Sequence, residues 1–326
     1  MTVSETVTAV GLDDVLAARE AIGGRLHRTP TFTSATLGEL TGARVFLKAE
    51  LFQKTGSFKP RGVLNNLGSL APDERARGVI STSAGNHAQA LAWGAATEDV
   101  DALLVMWQGV SEAKVAATRG YGAAVDLLAA DPREAFDRLA QLREETGRVL
   151  VHPFDHPLTI AGQGTVGLEL LGDVPDPDVV VVPVGGGGLV SGIATAVKGK
   201  NPNTRVIAVE PELSPALHEA LAAGKPVPVS PRSIADGLGA PFAGEHCLAV
   251  CRERVDGVVL LTEDEIEEGM RFCYARAKLA VEPAGAAAVA ALLAQKIPLD
   301  GGETVVAVVS GGNVATETAV AILAGR

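Results

Sequence analysis

The sequence predicts an α/β protein made of two open, mainly parallel α/β lobes with a cleft between them. Three observations carry that expectation. Strand-length apolar runs alternate with longer amphipathic or Ala-rich stretches along the 326 residues, the rhythm of parallel sheets covered by helices on both faces. The run Val179–Val184 is apolar without a break, as expected of a strand buried on both sides. No internal period of 20–50 residues is visible, which argues against solenoids and propellers.

Taken in order, Leu12–Gly23 has helical apolar spacing, Arg28-Thr29-Pro30-Thr31 reads as a turn and Ala43–Ala49 as a strand. Ser57-Phe58-Lys59-Pro60-Arg61-Gly62 opens a helix that runs to about Leu70 and is expected to stop at Pro72. Pro60 disfavours helical angles at Lys59 and is itself suited to the first turn of a helix, so Lys59 is expected at a fixed loop-to-helix junction. Gly78–Thr82 is a strand leading into Ser83-Ala84-Gly85-Asn86-His87 and an Ala-rich helix. Leu103–Trp107 and Ala123–Leu128 are further strands, with helices at Ala113–Arg119 and Pro132–Thr146.

A second body is expected from Val149 onward. It contains a helix at Thr165–Leu171, the strand Val179–Val184, the turn Gly185-Gly186-Gly187-Gly188 and a helix from Leu189. A strand at Arg205–Glu210 and a helix at Pro215–Ala223 precede an irregular, Pro-rich stretch over 225–241, expected as a mobile or substrate-side loop. A strand at Gly257–Leu261, helices at Glu263–Ala277 and Pro283–Leu293, and a strand at Thr304–Ser310 complete the chain. The resulting division is a large lobe of residues 1–52 and 150–326 and a small lobe of residues 53–149.

Composition narrows the function. A net charge of −11 with no basic stripe argues against nucleic acid. The first ten residues lack the basic-then-apolar layout of a signal peptide, and no apolar run reaches membrane-spanning length. Three cysteines are too few for a disulfide framework, and His246, Cys247 and Cys251 lack a second ligand pair at zinc-site spacing. The cytoplasm is the expected compartment, with no nucleic-acid or membrane partner.

Four loops fall at strand ends or helix starts, where open α/β sheets bind ligands. Lys59, confined between an aromatic ring and a proline, can lose its proton by desolvation and act as a Schiff-base nucleophile. The amides of Gly185 to Gly188 can wrap an anion at a helix N-terminus. A P-loop needs Gly-Lys-Ser/Thr after the glycines, whereas Leu189-Val190-Ser191 comes next here; a dinucleotide fold needs a third glycine where Ser191 stands. Ser83 to His87 offer amides and two polar side chains to a second, small anion. Ser310-Gly311-Gly312-Asn313 places a hydroxyl at a strand end beside two glycines that admit a flat ring. A lysine, a phosphate-sized cup, a ring partner and a carboxylate pocket together describe a pyridoxal phosphate site that takes an amino acid.

Through those four motifs the chain resembles, over nearly its whole length, the fold-type II pyridoxal phosphate enzymes (tryptophan synthase β-like). Within them it is similar to the serine/threonine dehydratase group that includes serine racemase. The resemblance implies that Lys59 bonds the cofactor and is the catalytic base, and that Phe58, Asn86, Gly185, Gly186, Gly187, Gly188, Leu189 and Ser310 bind the cofactor. It implies that Ser83, Ala84, Gly85, Asn86 and His87 hold the substrate carboxylate. The implied reaction is loss of water from L-threonine or L-serine, giving a 2-oxo acid and ammonia.

Departures from the group's pattern refine these expectations. Racemases of the group carry a serine where Ala84 stands and resemble asparagine at Phe154, so racemisation is the weaker expectation. Some relatives hold a divalent metal with an acid like Glu210 and an aspartate six residues on; here that place is Ala216, so no metal is expected, with Glu210 as the sole conceivable ligand. The chain stops thirteen residues after Asn313, which suggests an enzyme of catabolic type without a regulatory domain, and the group implies a homodimer or homotetramer. Alternatives are a dehydratase of another β-hydroxy amino acid such as 3-hydroxyaspartate or phenylserine, with Phe154 and 231–241 setting the choice, and, remotely, a non-catalytic or nicotinamide-binding protein.

Overall fold

The computed structural model describes residues 10–325; residues 1–9, which carry most of the stretch read as lacking a signal-peptide layout, lie outside them. The first part of the chain forms α1 (Leu12–Ile22), β1 (Thr31–Thr33), α2 (Ala35–Thr41), β2 (Arg44–Ala49), α3 (Pro60–Gly68) and α4 (Pro72–Arg77). Then come β3 (Val79–Thr82), α5 (Asn86–Thr97), β4 (Ala102–Trp107), α6 (Glu112–Gly120), β5 (Ala124–Ala129), α7 (Pro132–Thr146) and β6 (Val149–Leu150). The remainder contains α8 (Pro157–Asp173), β7 (Val179–Pro183), α9 (Gly188–Lys200), β8 (Arg205–Pro211), α10 (Ala216–Ala223) and α11 (Glu245–Arg254). It ends with β9 (Gly257–Leu261), α12 (Glu263–Phe272), α13 (Pro283–Leu293), β10 (Thr304–Val309) and α14 (Thr316–Leu323).

Two sheets result. A six-stranded sheet has the order β1-β2-β10-β7-β8-β9 and is parallel except for β1 against β2. A four-stranded sheet, β5-β4-β3-β6, is parallel throughout. Pleating decides the packing of the larger sheet. Val179 and Val181 of β7 enter one core with α13, while Val180 and Val182 enter another with α8 and α9. All four valines are fully buried, each stabilising the fold by roughly 1.5–3 kcal/mol. The doubly covered strand expected from the unbroken apolar run is present.

Several elements depart from expectation, each for a physical reason. Residues 28–31, read as a turn, lead into the edge strand β1, whose Thr31-Phe32-Thr33 suits a half-exposed pleat. Pro72 does not merely stop a helix; it occupies the first position of α4, where a missing N–H costs nothing. Val149 and Leu150 pair with β3 in the small sheet, so the body expected from Val149 starts after them. The expected helix Thr165–Leu171 is the seventeen-residue α8, its start hidden by glycines that propensity disfavours. Those glycines are packing devices: a Cβ on Gly162 would lie 2.6 Å from Gly62 Cα of α3, and one on Gly164 2.8 Å from Gly192 O of α9. Helices α2, α4, α11 and α14, of six to ten residues each, are not expected from the sequence because short mixed patterns carry little periodicity. The helix expected over 263–277 is α12 followed by a π turn at Cys273–Ala277.

Candidate active site

Lys59 caps the N-terminus of α3 with φ −54° and ψ −36°. The expected extended conformation before Pro60 is therefore not adopted. Phe58 O already accepts from Arg61 N and Lys59 O from Val63 N, so the helical turn begins ahead of the proline and overrides its local bias. The expected junction is present, and it is held firmly. Arg61 donates five hydrogen bonds, two to Glu50, two to Glu169 and one to Thr165, at 2.7–3.1 Å. Arg61 is 2% exposed and Glu50 fully buried. Lys48, also fully buried, joins the cluster through Glu169, Asp173 and Thr29 O. Burial opposes the Arg61 charge, but Glu50 and Glu169 more than offset it and raise the guanidinium's proton affinity. Gly62 is required beside this cluster, since its Cβ would lie 2.5 Å from Gln163 Nε2.

From that anchored turn the Lys59 amine reaches a cavity, where Nζ donates to Pro153 O at 3.0 Å and lies 5.1 Å from the Phe58 ring centre. Burial lowers its pKa from 10.5 to about 8, against the opposing influence of Cys247 and Glu282. Near neutrality roughly a tenth is then free amine, the nucleophilic form, far more than an ordinary lysine offers.

The cavity's other wall is the glycine turn after β7. Gly185 to Leu189 line it, and Gly187 sits at φ +99° as the cap of α9, a conformation that favours glycine. Side chains have no room here: a Cβ on Gly186 would lie 2.4 Å from the Phe154 ring, and one on Gly188 2.8 Å from Phe154 O. The first amides of α9 have no acceptor within their own helix, so this turn is a cup of N–H donors. Ser310, at the end of β10, also lines the cavity, and its hydroxyl makes only a long 3.5 Å contact with Ala284 O.

Of the loop after β3, Asn86 alone reaches the wall of this cavity among the described residues. Its Oδ1 accepts from Asn313 Nδ2 and its Nδ2 donates to Glu282 Oε1, both at 2.7 Å. Ser83 Oγ accepts from Gly85 N at 3.1 Å, a local turn, and no heavy atom would lie within 4 Å of a Cβ on Gly85. The side chain of His87 is placed differently from expectation. Its buried ring sits within 3.2 Å of Ser81 Oγ and Val151 O, in the small sheet rather than on the cavity wall. Burial, and then Lys59, depress its pKa well below the ordinary value, keeping it neutral. The cavity thus brings together Phe58, Lys59, Asn86, Gly185, Gly186, Gly187, Gly188, Leu189 and Ser310, and does not include Ser83, Ala84, Gly85 or His87.

A family profile described as pyridoxal-phosphate dependent enzyme matches residues 23–311. The chain belongs to this family. It is 41% identical over 306 residues to an L-threonine ammonia-lyase of Thermotoga maritima, covering 94% of this chain and 76% of that protein. Among solved structures, maize serine racemase superposes with a TM-score of 0.91 at 38% identity, covering 95% of this chain and 96% of that one. A threonine deaminase from T.th. gives 0.86 at 42%, covering 94% and 99%. Pyridoxal phosphate is the cofactor of the family, and the residues present fit it. The amide cup suits its phosphate, Lys59 its aldehyde, and the scarcely engaged Ser310 hydroxyl its ring nitrogen.

Sequence reasoning missed some of the wall. Pro153, Gln163, Gly237, Leu238, Glu282 and Ala284 all line the cavity. The signal for Glu282 was its place just ahead of Pro283 at a helix start; Gly237 and Leu238 fall inside the irregular stretch expected on the substrate side. Phe154, singled out for substrate choice, lies edge-on to both His152 and Phe242. His152 Nδ1 accepts from Phe154 N and Asp155 N, while burial brings its pKa to about 4. Three of the residues weighed as metal ligands, Glu210, Cys247 and Cys251, have other contacts. Both oxygens of Glu210 accept from the N–H groups of Leu217 and His218, capping α10. Cys247 and Cys251 lie buried on α11 with Ser191 Oγ between them. No cluster of three or more His, Cys, Asp or Glu able to hold a metal occurs among the described residues.

Proposed function

We propose that this chain removes water from L-threonine, L-serine or both, releasing a 2-oxo acid and ammonia. The observation that carries this reading is the Lys59 amine, with its lowered pKa, facing an anion cup in a chain 41–42% identical to L-threonine ammonia-lyases of two bacteria. Bound pyridoxal phosphate supplies an electron sink for a bond broken at the substrate's α-carbon. The remaining work falls to the chain. Lys59, as free amine, is placed to remove the α-proton. The glycine amides fix the anionic end of the site, and Phe154 with Leu238 closes one flank against water. In the loop over 83–87, backbone amides hold the carboxylate, and Ala84 offers no hydroxyl to return a proton on the far face. Loss of the β-hydroxyl is then favoured over racemisation.

The likeness to maize serine racemase supports a second reading, serine racemisation in the same cavity. One experiment separates them: 2-oxo acid release and D-serine formation are measured from L-threonine, L-serine, 3-hydroxyaspartate and phenylserine, with Lys59→Ala as control. Lys59-dependent 2-oxo acid from threonine or serine supports the first reading; D-serine without 2-oxo acid overturns it. The same reading includes a homodimer or homotetramer, testable by light scattering, and a cytoplasmic location. It also takes residues 53–149 as a small lobe carrying the asparagine loop and 1–52 with 150–326 as a large cofactor-binding lobe, although the pairing of Leu150 with β3 puts that one residue in the small sheet. No helix among the described residues is long and apolar enough to cross a membrane.

A further inference from the structure

No motif pointed to Glu282, yet it is the carboxyl on the cavity wall. Its side chain belongs to a residue only 4% exposed, and it shares the cavity with Lys59, Asn86 and Ser310. Oε1 accepts from Asn86 Nδ2 at 2.7 Å. On the other side of the same amide, Asn86 Oδ1 accepts from Asn313 Nδ2 at 2.7 Å, and Asn313 also donates to Thr55 O. With an acceptor on its nitrogen and a donor on its oxygen, the Asn86 amide is held in one of its two flips. Glu282 takes one Nδ2 hydrogen and leaves the second for the cavity.

The surroundings are shaped to keep the carboxyl there. A Cβ on Gly311 would lie 2.6 Å from Oε1, and one on Gly237 would lie 3.4 Å from it. Glu282 N donates to Gly311 O, fixing the backbone from which the side chain departs.

We propose that Glu282 is a positioning residue that acts through Asn86, orienting its amide so that the remaining N–H meets the ring hydroxyl of pyridoxal phosphate. This rests on the reading of the cavity as the cofactor site. The charged groups facing Glu282 are Asp236, Lys114 and Lys59. Burial first, and then Asp236, raise its pKa to about 8, with Asn86, Lys114 and Lys59 opposing. Below about pH 8 the carboxyl is therefore neutral; above it the carboxylate accepts from Asn86 as a charge-assisted and stronger bond. The cofactor environment should follow that ionisation.

Two variants separate hydrogen bond from charge. E282Q keeps an oxygen that accepts from Asn86 but cannot ionise, whereas E282A loses both. Cofactor dissociation constants come from titrating resolved protein with pyridoxal phosphate, and the absorption spectrum is followed from about pH 6 to about pH 10. At about pH 7, where the carboxyl is neutral, the expected result is a loss of cofactor affinity of about 3- to 12-fold in E282A, matching loss of a neutral hydrogen bond, and of less than about twofold in E282Q, which keeps the acceptor. The spectral change near pH 8 should vanish in both. Circular dichroism shows whether each variant folds, and E282Q, nearly isosteric, keeps the spectral arm decisive if E282A does not. Wild-type affinity in E282A, or an unchanged pH titration in E282Q, would overturn the proposal. A wild-type protein with no cofactor absorption would instead remove the reading of the site, and the proposal with it.

Discussion

Replacing Arg61 by alanine tests the idea that a buried ionic clamp holds the lysine turn in place. Every N–H of the guanidinium is used: five donors make five bonds. Alanine leaves Glu50 fully buried without its cation and Glu169 with only Lys48. Breaking one side of such a pair costs about 3–5 kcal/mol, because the remaining charge stays desolvated. For a chain of this length, with an unfolding entropy of about 2.1 cal/mol/K per residue, that cost lowers Tm by about 4–7 °C. Arg61→Lys keeps the charge but offers three donors in place of a planar fork, so it should fall between wild type and alanine. Differential scanning fluorimetry on cofactor-loaded protein reads the shift. A fall of less than about 1.5 °C in Arg61→Ala, equivalent to about 1 kcal/mol, would refute the clamp.

The same cluster gives a signed pH effect. Burial pushes the Glu169 carboxyl upward, but hydrogen bonds and charges from Arg61 and Lys48 bring it below its ordinary value. Its pKa is thus lower folded than unfolded. The stability it contributes is present above the ordinary carboxylate range of about 4.3 and is lost as pH falls through the folded value. In Arg61→Ala much of that depression disappears, so acid unfolding should begin at higher pH than in wild type.

The cavity leads to three other expected outcomes. Recombination of resolved protein with pyridoxal phosphate should accelerate with pH and reach half its plateau near the Lys59 pKa of about 8; a midpoint near 10.5, the ordinary lysine value, would contradict the desolvation argument. Lys59→Ala should lower 2-oxo acid release by at least about 10²–10⁴-fold, the usual worth of a positioned acid–base group, measured by coupled reduction of the product. Gly186→Ala places a methyl 2.4 Å from the Phe154 ring and should weaken cofactor binding while costing about 1–3 kcal/mol of stability, both read from a thermal-shift titration with the cofactor.

How far the sequence could lead depends on what each residue contacts. The glycine turn was legible because four glycines in a row after an apolar strand have few other uses, and the structure shows why: neighbouring atoms fill the places of their side chains. The central strands β7 and β10 of the large sheet were legible because burial on both faces demands unbroken apolar runs, whereas the half-exposed edge strand β1 carries no such run. Glu282 and Arg61 were harder. Their importance arises from pairings across the fold, with Asn86 at a separation of 196 residues and Glu169 at 108, and no local period records such a partner. The Lys59 backbone shows the same limit in reverse. A local rule gave it non-helical angles at the junction, whereas it caps α3 with helical ones, two residues ahead of the anchored Arg61. That anchoring gives the motif a physical rationale. A lysine whose amine must stay desolvated cannot sit on a mobile loop, because each excursion would rehydrate it and restore its ordinary pKa. Rigidity supplied by a neighbouring guanidinium, locked between two carboxylates, is what allows Lys59 to keep a reactive amine near neutral pH.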